Sequence, residues 1–303
     1  MDNRITDKPA VIILNYNSYE ETLNLINSID KYDPGYCIIV VDNASDKNER
    51  QKLSAIRERC VTVLLDENKG YASGNNAGIR KAIELGYDIF LLANSDTYLI
   101  SRHAISDCYA YMKKNRIDIL GPKMVNETGA DISGCICVDR YGRTKHRFTD
   151  DITECSSLGG AFILINRQVT DRIGFIREFY FLYREETDYC IRAHKEGLKI
   201  VYYPEVTIVH KAGTTTKNVA VYYYHRNMFI LSREIYKTGK FELAAFYFPR
   251  FLVYSLRIIK KTETGKEKRR KLKQLWHAYI DGVRDIRGLK TVLQKEYKYE
   301  KEG

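Results

Sequence analysis

The sequence predicts an α/β protein with a mostly parallel, doubly wound sheet, and three observations support this fold class. From residue 10 onward, short apolar runs alternate with amphipathic stretches of helical length, which is typical of βαβ units. Polar residues follow each apolar run, as expected where parallel strands end at a ligand-binding edge. The composition, 44 % hydrophobic and 29 % charged with 5 prolines, excludes disordered and collagen-like chains.

The first half of the chain contains the most regular alternation. Strands are predicted at 10–14, 37–42, 61–65, 88–92 and 117–121, and helices near 19–30, 46–59, 71–85 and 101–115. Residues 121–158, which contain glycines and cysteines, are expected to form loops or a hairpin. The remaining elements are a strand at 157–165, a helix at about 186–196, strands at 198–203 and 206–210, and a helical tail from 222 with a polar hinge at 260–273.

Charge divides the 303 residues into two parts. Residues 1–216 contain 28 Lys and Arg against 30 Asp and Glu, whereas residues 217–303 contain 21 against 9. The net charge of +10 therefore comes from the tail. A neutral body with a cationic, aromatic-rich tail indicates a contact with an anionic surface rather than a nucleic-acid-reading face.

Cysteine use and hydropathy predict a cytoplasmic protein. The 7 cysteines are odd in number and lie mostly in apolar runs, which does not fit a disulfide framework. The first nine residues show no apolar targeting core. The most apolar long stretch, 241–259, contains Glu242, Pro249, Arg250 and Arg257, so a spanning helix is not expected.

Three acidic or imidazole features are candidates for chemistry, and each has a structural alternative. Asp96 follows a buried strand, where a carboxylate can hold a divalent cation shared with a diphosphate or can simply serve a turn. Glu185, Glu186 and Asp188 can provide a general base or can complement a helix dipole. His210 ends a strand and can be a metal ligand or a structural histidine.

Glycines at 70, 74 and 78 open a predicted helix. Their spacing matches neither the dinucleotide fingerprint nor the P-loop, which argues against NAD and ATPase functions. The glycines fit close packing of the helix on the sheet, and they also fit a helix N-terminus that faces phosphate or sugar groups.

Eight segments, taken in order over about 225 residues, resemble family 2 glycosyltransferases with the GT-A fold, in particular the rhamnosyltransferase-like branch that builds bacterial surface polysaccharides. The segments are VIILNYN at 11–17, IVVDNAS at 39–45, ENKGYASGNN at 67–76, NSD at 94–96, GGAF at 159–162, EETD at 185–188, IVH at 208–210 and YHRN at 224–227. The resemblance implies a GT-A catalytic domain over 1–216 and a helical appendage over 217–303. Within the domain, it implies a nucleotide-binding half at about 1–121 and an acceptor half at about 122–216.

The resemblance also implies roles for individual residues. The nucleotide and diphosphate would be held by residues at the strand ends and the start of the third helix: Asn15, Asn17, Asp42, Asn43, Lys69, Gly70, Asn75, Asn94, Ser95 and Asp96. Asp96, with His210 as a possible second ligand, would bind Mg²⁺ or Mn²⁺. Glu186 would be the base of an inverting transfer, and Glu185 and Asp188 would support it or orient the acceptor.

The sequence departs from the family pattern at two of these positions. Asn94 replaces the first Asp of the metal motif, and Glu186 stands where Asp is usual, so Glu185 or Asp188 remains an alternative base. A glutamate carboxylate lies one methylene farther from the backbone than that of an aspartate.

The family resemblance implies an NDP-sugar donor, with dTDP-rhamnose preferred over a UDP-hexose, and a saccharide acceptor linked to polyprenyl diphosphate. The tail would place the enzyme on the inner face of the cell membrane, or it would form a dimer contact. Two other functions are considered: a sugar-1-phosphate nucleotidyltransferase, for which the expected Gly-rich, Arg-bearing loop is absent, and a non-catalytic protein that binds sugars or nucleic acid through the basic tail.

Overall fold

A computed structural model describes residues 8–211, 219–261 and 263–290. The strands are β1 Ala10–Asn15, β2 Ile38–Asp42, β3 Val61–Leu64, β4 Ile89–Asn94, β5 Thr97–Leu99, β6 Ile119–Val125, β7 Asp131–Ser133, β8 Cys135–Val138, β9 Thr144–Arg147, β10 Thr153–Glu154, β11 Phe162–Asn166 and β12 Ile200–His210. The helices are α1 Tyr19–Tyr32, α2 Lys47–Leu53, α3 Tyr71–Glu84, α4 Ala104–Lys114, α5 Arg167–Ile173, α6 Glu185–Lys195, α7 Ala220–Tyr236, α8 Lys240–Lys260 and α9 Gly265–Arg284.

The central sheet has the order β10, β12, β6, β11, β4, β1, β2, β3. Strands β1 to β4 pair in parallel, and β12 runs parallel to β6. Strand β11 lies antiparallel between β4 and β6. The predicted mostly parallel sheet flanked by helices is therefore confirmed, with an antiparallel strand inserted at its centre.

Alternation along β1 explains the two helical layers. Val11 and Ile13 belong to a core with α1, α2 and α4, whereas Ala10 and Ile12 belong to a core with α3, α5 and α6. All four side chains are fully buried because the sheet is covered on both faces.

The register of the parallel strands brings their polar ends to one edge. Asn15 lies opposite Asp42, and Leu14 lies opposite Asn94. The predicted convergence of the strand-end clusters is confirmed for these three strands, and this edge is called the strand-end rim below.

Several predicted boundaries differ from the structure; for example, the helix predicted at 46–59 ends at Leu53, and the strand predicted at 117–121 spans Ile119–Val125. The run at 157–165 forms a strand only from Phe162, and Gly159 and Gly160 before it lie against the side chains of Ser133 and Glu186. The strands predicted at 198–203 and 206–210 form one strand with a bulge between Tyr203 and Thr207. The polar hinge at 260–273 was wrong beyond residue 264, because Thr264 caps α9 by accepting from the Glu267 N–H.

The last three helices contact both one another and the sheet domain. Helix α7 packs against α6 and α9, and α8 packs against α9. Within the described ranges, no helix is long and apolar enough to cross a membrane. All seven cysteines are free thiols, as the sequence predicts.

Candidate functional site

A cavity of about 590 Å³ opens at the strand-end rim. The ends of β1, β4 and β12 line it on one side, and the starts of α3 and α6 line another. Thr144 and His146 of β9, from the predicted acceptor half, and Tyr224 of α7, from the predicted appendage, also line it. The cavity thus joins elements that lie far apart along the chain.

Asn43 lines this cavity and carries a buried acceptor that the described residues leave unpaired. Its Nδ2 donates to Asn68 Oδ1 at 3.1 Å and to the Gly70 carbonyl at 3.2 Å. Its buried Oδ1 has no hydrogen-bond partner among the described residues. Because an unpaired buried acceptor is costly, this oxygen is suited to receive an N–H or O–H from a ligand.

Asn15 and Asp42 lie behind this wall and do not line the cavity. Both are fully buried, and Asn15 Nδ2 donates to Asp42 Oδ1 at 3.0 Å. The other carboxylate oxygen of Asp42 accepts from Arg50 Nε at 2.6 Å. Asn17 also lies outside the cavity lining, and its Oδ1 accepts from the Asp46 N–H at 2.8 Å. These residues fix the shape of the strand-end rim.

The start of α3 is pressed against the loop before α6. Gly70 has φ +100°, and a Cβ there would lie 2.1 Å from the Phe181 carbonyl oxygen. Asn75 is buried and donates to the Tyr71 carbonyl at 3.1 Å. Lys69, in contrast, points to solvent with its side chain 61 % exposed and pairs with Glu67 at 3.5 Å, outside the cavity lining.

The other two glycines of this helix explain its close approach to the sheet. A Cβ at Gly74 would lie 2.3 Å from Leu14 Cδ1, and a Cβ at Gly78 would lie 2.3 Å from Ile12 Cγ2. The packing interpretation therefore holds for Gly74 and Gly78, while Gly70 lines the cavity.

Asp96 and His210 meet at the cavity wall. Strand β5 pairs with the end of β12, placing Thr97 opposite His210. As a result, His210 Nε2 lies 3.2 Å from Asp96 Oδ1, and both side chains are partly exposed to the cavity. Asn94 and Ser95 also line it, and Ser95 Oγ lies 3.0 Å from Ser18 Oγ.

Glu185 and Glu186 face the cavity from the first turn of α6. Burial, and then the charge of Glu186, raise the pKa of Glu185 well above the ordinary carboxyl value. Burial also raises the pKa of Glu186. A cavity-facing carboxylate with a raised pKa is a stronger proton acceptor than a solvated one, as general base catalysis requires.

Asp188 of α6 lies outside the cavity lining. It is fully buried, and its Oδ1 accepts from Arg177 Nη1 at 3.1 Å and from the Tyr180 hydroxyl at 3.2 Å. Its Oδ2 accepts from Arg192 Nε at 2.8 Å. The structure does not bring Asp188 into the cavity with the two glutamates; it anchors the helix that carries them.

Helix α7 holds the loop that precedes these glutamates. Arg226 is fully buried, and its Nη2 donates to the Tyr180 carbonyl at 2.6 Å. Asn227 Nδ2 donates to the carbonyls of Leu182 and Tyr183, both at 2.8 Å. This bracing sustains a strained loop, in which three non-glycine residues have positive φ: Phe181 at 68°, Tyr183 at 68° and Arg184 at 82°.

Sequence reasoning missed several residues that line the cavity: Tyr16, Asn68, Tyr71, Thr144, His146, Arg184 and Tyr224. Four of them lie inside segments on which the family resemblance rests but received no role of their own: Tyr16, Asn68, Tyr71 and Tyr224. Arg184 precedes the acidic cluster, where a single cation gives no separate signal. Thr144 and His146 lie in the segment expected to form loops or a hairpin.

Comparisons with known proteins agree with this architecture. The family model of Glycosyl transferase family 2 matches residues 10–192. The low-salt glycan biosynthesis hexosyltransferase Agl10 of Haloferax volcanii is 26 % identical over 246 residues, covering 76 % of this chain and 77 % of its own. The dTDP-rhamnosyl transferase RfbF of Shigella flexneri is 25 % identical over 291 residues, covering 91 % and 96 %.

Among solved structures, the fold is similar to that of the mannosyltransferase PcManGT from Pyrobaculum calidifontis, in complex with GDP-Man and Mn²⁺. The TM-score is 0.57 at 12 % identity, with 92 % of this chain and 87 % of that chain covered. S. aureus TarS 1–349 in complex with UDP-GlcNAc gives a TM-score of 0.56 at 18 % identity, with 91 % and 81 % covered. The expected GT-A fold is confirmed, and with more than half of the chain matched, this protein belongs to glycosyl transferase family 2 and is a hexosyltransferase.

Proposed function

We propose that this enzyme transfers rhamnose from dTDP-rhamnose to a saccharide acceptor with inversion at the anomeric carbon. The observation that carries the mechanism is the pair Glu185 and Glu186, which faces Asp96 and His210 in one cavity. The similarity to a dTDP-rhamnosyl transferase along 91 % of this chain supports the donor, and UDP-hexoses are the alternative. Assembly of a surface polysaccharide is the corresponding cellular role.

Glu186 is the base in this proposal. Its carboxylate removes the proton of an acceptor hydroxyl while that oxygen bonds to the anomeric carbon and the bond to the nucleoside diphosphate breaks. The side chain lies against Gly160, where a Cβ would come within 2.8 Å of Glu186 Cβ. Gly160 thus leaves room for the Cβ and Cγ of Glu186, whereas Glu185, with its Oε2 unpartnered among the described residues, is placed to orient the acceptor.

Asp96 and His210 hold a Mn²⁺ or Mg²⁺ ion in this proposal. A carboxylate and an imidazole side by side are a suitable donor pair for such ions. The described residues contain no cluster of three or more potential ligands, which fits a site completed by the diphosphate of the donor. The ion supplies positive charge to the departing diphosphate. The Mn²⁺ bound together with GDP-Man in the similar mannosyltransferase supports this assignment.

The nucleotide is bound on the side of Asn43, Asn94 and Ser95. Asn43 offers a hydrogen-bond acceptor, and Tyr16 offers an aromatic ring in the same wall. Asn15, Asn17, Asp42 and Asn75 act as positioning residues, because their side chains are engaged with the protein. Gly70 lines the cavity and lets the start of α3 approach the Phe181 backbone, whereas Lys69 points to solvent outside the cavity lining.

A thermal-shift series with dTDP, UDP, GDP and CDP, each with and without Mn²⁺, tests the donor and the metal together. A ligand that binds the native state raises the melting temperature. We expect the largest metal-dependent shift with dTDP, and Asp96→Asn should remove the metal dependence. If dTDP shifted the melting temperature of wild type equally with and without Mn²⁺, the metal assignment would be contradicted. If UDP gave a larger shift than dTDP, the donor would be a UDP-sugar.

Glu186→Gln tests the base. Loss of a general base lowers turnover by about 10²–10⁴-fold, while donor binding by thermal shift is retained. The matched control is Glu196→Gln, because Glu196 lies exposed at the end of the same helix and should leave turnover unchanged. Unchanged turnover of Glu186→Gln would transfer the role to Glu185.

The acceptor in this proposal is a saccharide linked to polyprenyl diphosphate, reached at the inner face of the membrane. Helix α8 carries an exposed apolar stripe, with Phe241 86 % and Leu256 57 % exposed. Helix α9 adds six cations at 266–273 beside it. Apolar and cationic side chains on adjacent helices fit an anionic bilayer surface.

Cosedimentation with phosphatidylglycerol vesicles measures this contact. We expect salt-sensitive binding that Leu256→Asp weakens and that vesicles of phosphatidylcholine do not show. Truncation near residue 217 is not a suitable control, because α7 braces the loop before α6. Absence of vesicle binding, together with a concentration-dependent dimer in light scattering that Leu256→Asp disrupts, would identify the stripe as a dimer contact instead.

A further inference from the structure

The guanidinium of Arg184 is buried in the cavity wall without a full set of hydrogen-bond partners. The residue is 5 % exposed and lines the cavity. Its Nη1 donates to Thr144 Oγ1 at 2.8 Å. Its Nε and Nη2 are buried and have no hydrogen-bond partner among the residues that the structure describes.

The charge of Arg184 acts on the neighbouring Glu185 and Glu186, but neither carboxylate accepts a hydrogen bond from its Nε or Nη2, so two N–H groups remain open to a ligand anion. Burying a cation is costly unless it is paired and hydrogen-bonded. The Tyr224 ring, whose centroid lies 4.3 Å from the Arg184 Cζ, interacts with the guanidinium and holds it in place. The unpaired N–H groups of a guanidinium form a fork that matches the two oxygens of a phosphate or a carboxylate.

The position of Arg184 points to the acceptor rather than the donor. Its contacts come from Thr144 of β9 and Tyr224 of α7, whereas Asp96 and His210 lie at the ends of strands β4 and β12. Two imidazoles near Arg184 add no charge at pH 7. Burial, followed by the charge of Arg184, lowers the pKa of His146, and the same causes lower that of His225 to about 4.

We propose that Arg184, held by Thr144 and Tyr224, binds an anionic group of the acceptor beside the sugar that is glycosylated. This inference rests on the proposed transfer reaction and adds a subsite to it. The shared chemistry is an oxyanion, which is supplied either by the diphosphate of a lipid-linked acceptor or by the carboxylate of an acidic sugar. Tyr224 is 40 % exposed, and the adjacent His225 contacts Tyr254 of α8 with ring centroids 4.8 Å apart. The subsite is therefore close to α8, the helix that carries the apolar stripe.

Calorimetric titration of the full chain, saturated with dTDP and Mn²⁺ so that the donor site is filled, tests this subsite. The probes are undecyl diphosphate, undecyl glucuronide and the neutral undecyl glucoside. We expect one of the two anionic probes to bind wild type more tightly than the glucoside. Arg184→Met should weaken that binding by about tenfold to hundredfold, the range for loss of a charged hydrogen bond, and leave the glucoside unchanged.

Lys145→Met is the matched control. Lys145 is exposed on the same strand as Thr144 and is absent from the cavity lining, so this variant removes one positive charge without touching the subsite. The affinity of Lys145→Met for the anionic probe should stay within about twofold of that of wild type, where a tenfold change corresponds to about 1.4 kcal/mol of binding free energy. If Arg184→Met does not fold, Thr144→Val removes the hydroxyl that orients the guanidinium and should weaken the anionic probe by a smaller factor.

Binding of the diphosphate identifies a lipid-linked acceptor, and binding of the glucuronide identifies an acidic saccharide. The inference is overturned if neither anion binds wild type better than the glucoside, if Arg184→Met weakens all three probes equally, or if it weakens only dTDP. Failure of the proposed transfer is seen separately, because it appears as absence of nucleotide-sugar turnover in wild type while binding of the anion still depends on Arg184.

Discussion

Replacement of Arg226 by Met should reduce both stability and turnover, because this side chain joins the tail to the catalytic loop. Its Nη2 donates to the Tyr180 carbonyl at 2.6 Å, and its Nη1 donates to the Gly288 carbonyl at 2.5 Å. Each hydrogen bond from a charged group contributes about 1.5–3 kcal/mol, so their loss lowers the free energy of unfolding by about 3–6 kcal/mol. For a chain of this size that corresponds to a decrease in melting temperature on the order of 10 °C.

The assay is differential scanning calorimetry combined with turnover at a temperature where the variant stays folded. We expect kcat to decrease as well, since the loop from Tyr180 to Arg184 leads directly into Glu185 and Glu186. Arg226→Lys should recover part of the stability, because an ammonium can reach one carbonyl but lacks the fork.

Arg233→Met is the matched control on the same helix. Arg233 donates to the Val283 carbonyl at 2.9 Å and pairs with Asp285 at 3.2 Å, so its contacts stay within the region of α7 and α9. This variant should melt earlier than wild type but keep its kcat. Two results would refute the bracing argument. One is a melting temperature for Arg226→Met within about 2 °C of wild type, which corresponds to a small change in the free energy of unfolding. The other is an equal loss of kcat in both variants.

Two further variants test backbone strain and buried charge. Gly70→Ala should unfold at a clearly lower temperature than wild type, since its Cβ clashes with a carbonyl oxygen at a position that also has a positive φ. The control is Gly129→Ala, which has φ +81° and open space around it and should show only the conformational cost of about 1–2 kcal/mol. Equal melting temperatures for the two variants would argue against the clash. Glu185→Gln should be more stable than wild type at pH 8. Folding raises the pKa of the Glu185 carboxyl, so wild type loses stability as the pH rises from about 4.5 through the raised value, whereas glutamine does not titrate. Thermal melts across pH should show that the stability gain vanishes toward pH 4, and the exposed control Glu58→Gln should give no such pH-dependent difference.

The alternation of apolar and polar runs was sufficient to predict the parallel strands and the convergence of their polar ends. The pattern indicates Asn43, Asp96 and His210 because each lies within two residues of a strand end. The alternation could not predict strand direction, so the antiparallel insertion of β11 between β4 and β6 was not foreseen. A short apolar run has the same pattern in either direction.

Helical spacing shows that Glu186 and Asp188 cannot both face the same cavity, because residues two apart on a helix point to nearly opposite sides. The spacing does not show which of the two faces the cavity. The ion pairs that Asp188 makes with Arg177 and Arg192 hold it away from the cavity and leave Glu186 as the residue that faces it. Arg184 was missed for the same reason, because its environment comes from β9 and α7.

The bracing of the loop by α7 also limits how this enzyme can be recombined with its relatives. The family match ends at residue 192, within α6, but the carbonyls of Leu182 and Tyr183 are held by Asn227. A chimera joined at the end of the matched region would pair one parent's loop with another parent's helix. A chimera that preserves this bracing therefore requires the loop at 180–184 and the helix Ala220–Tyr236 to be transplanted together, as one unit that is discontinuous in sequence.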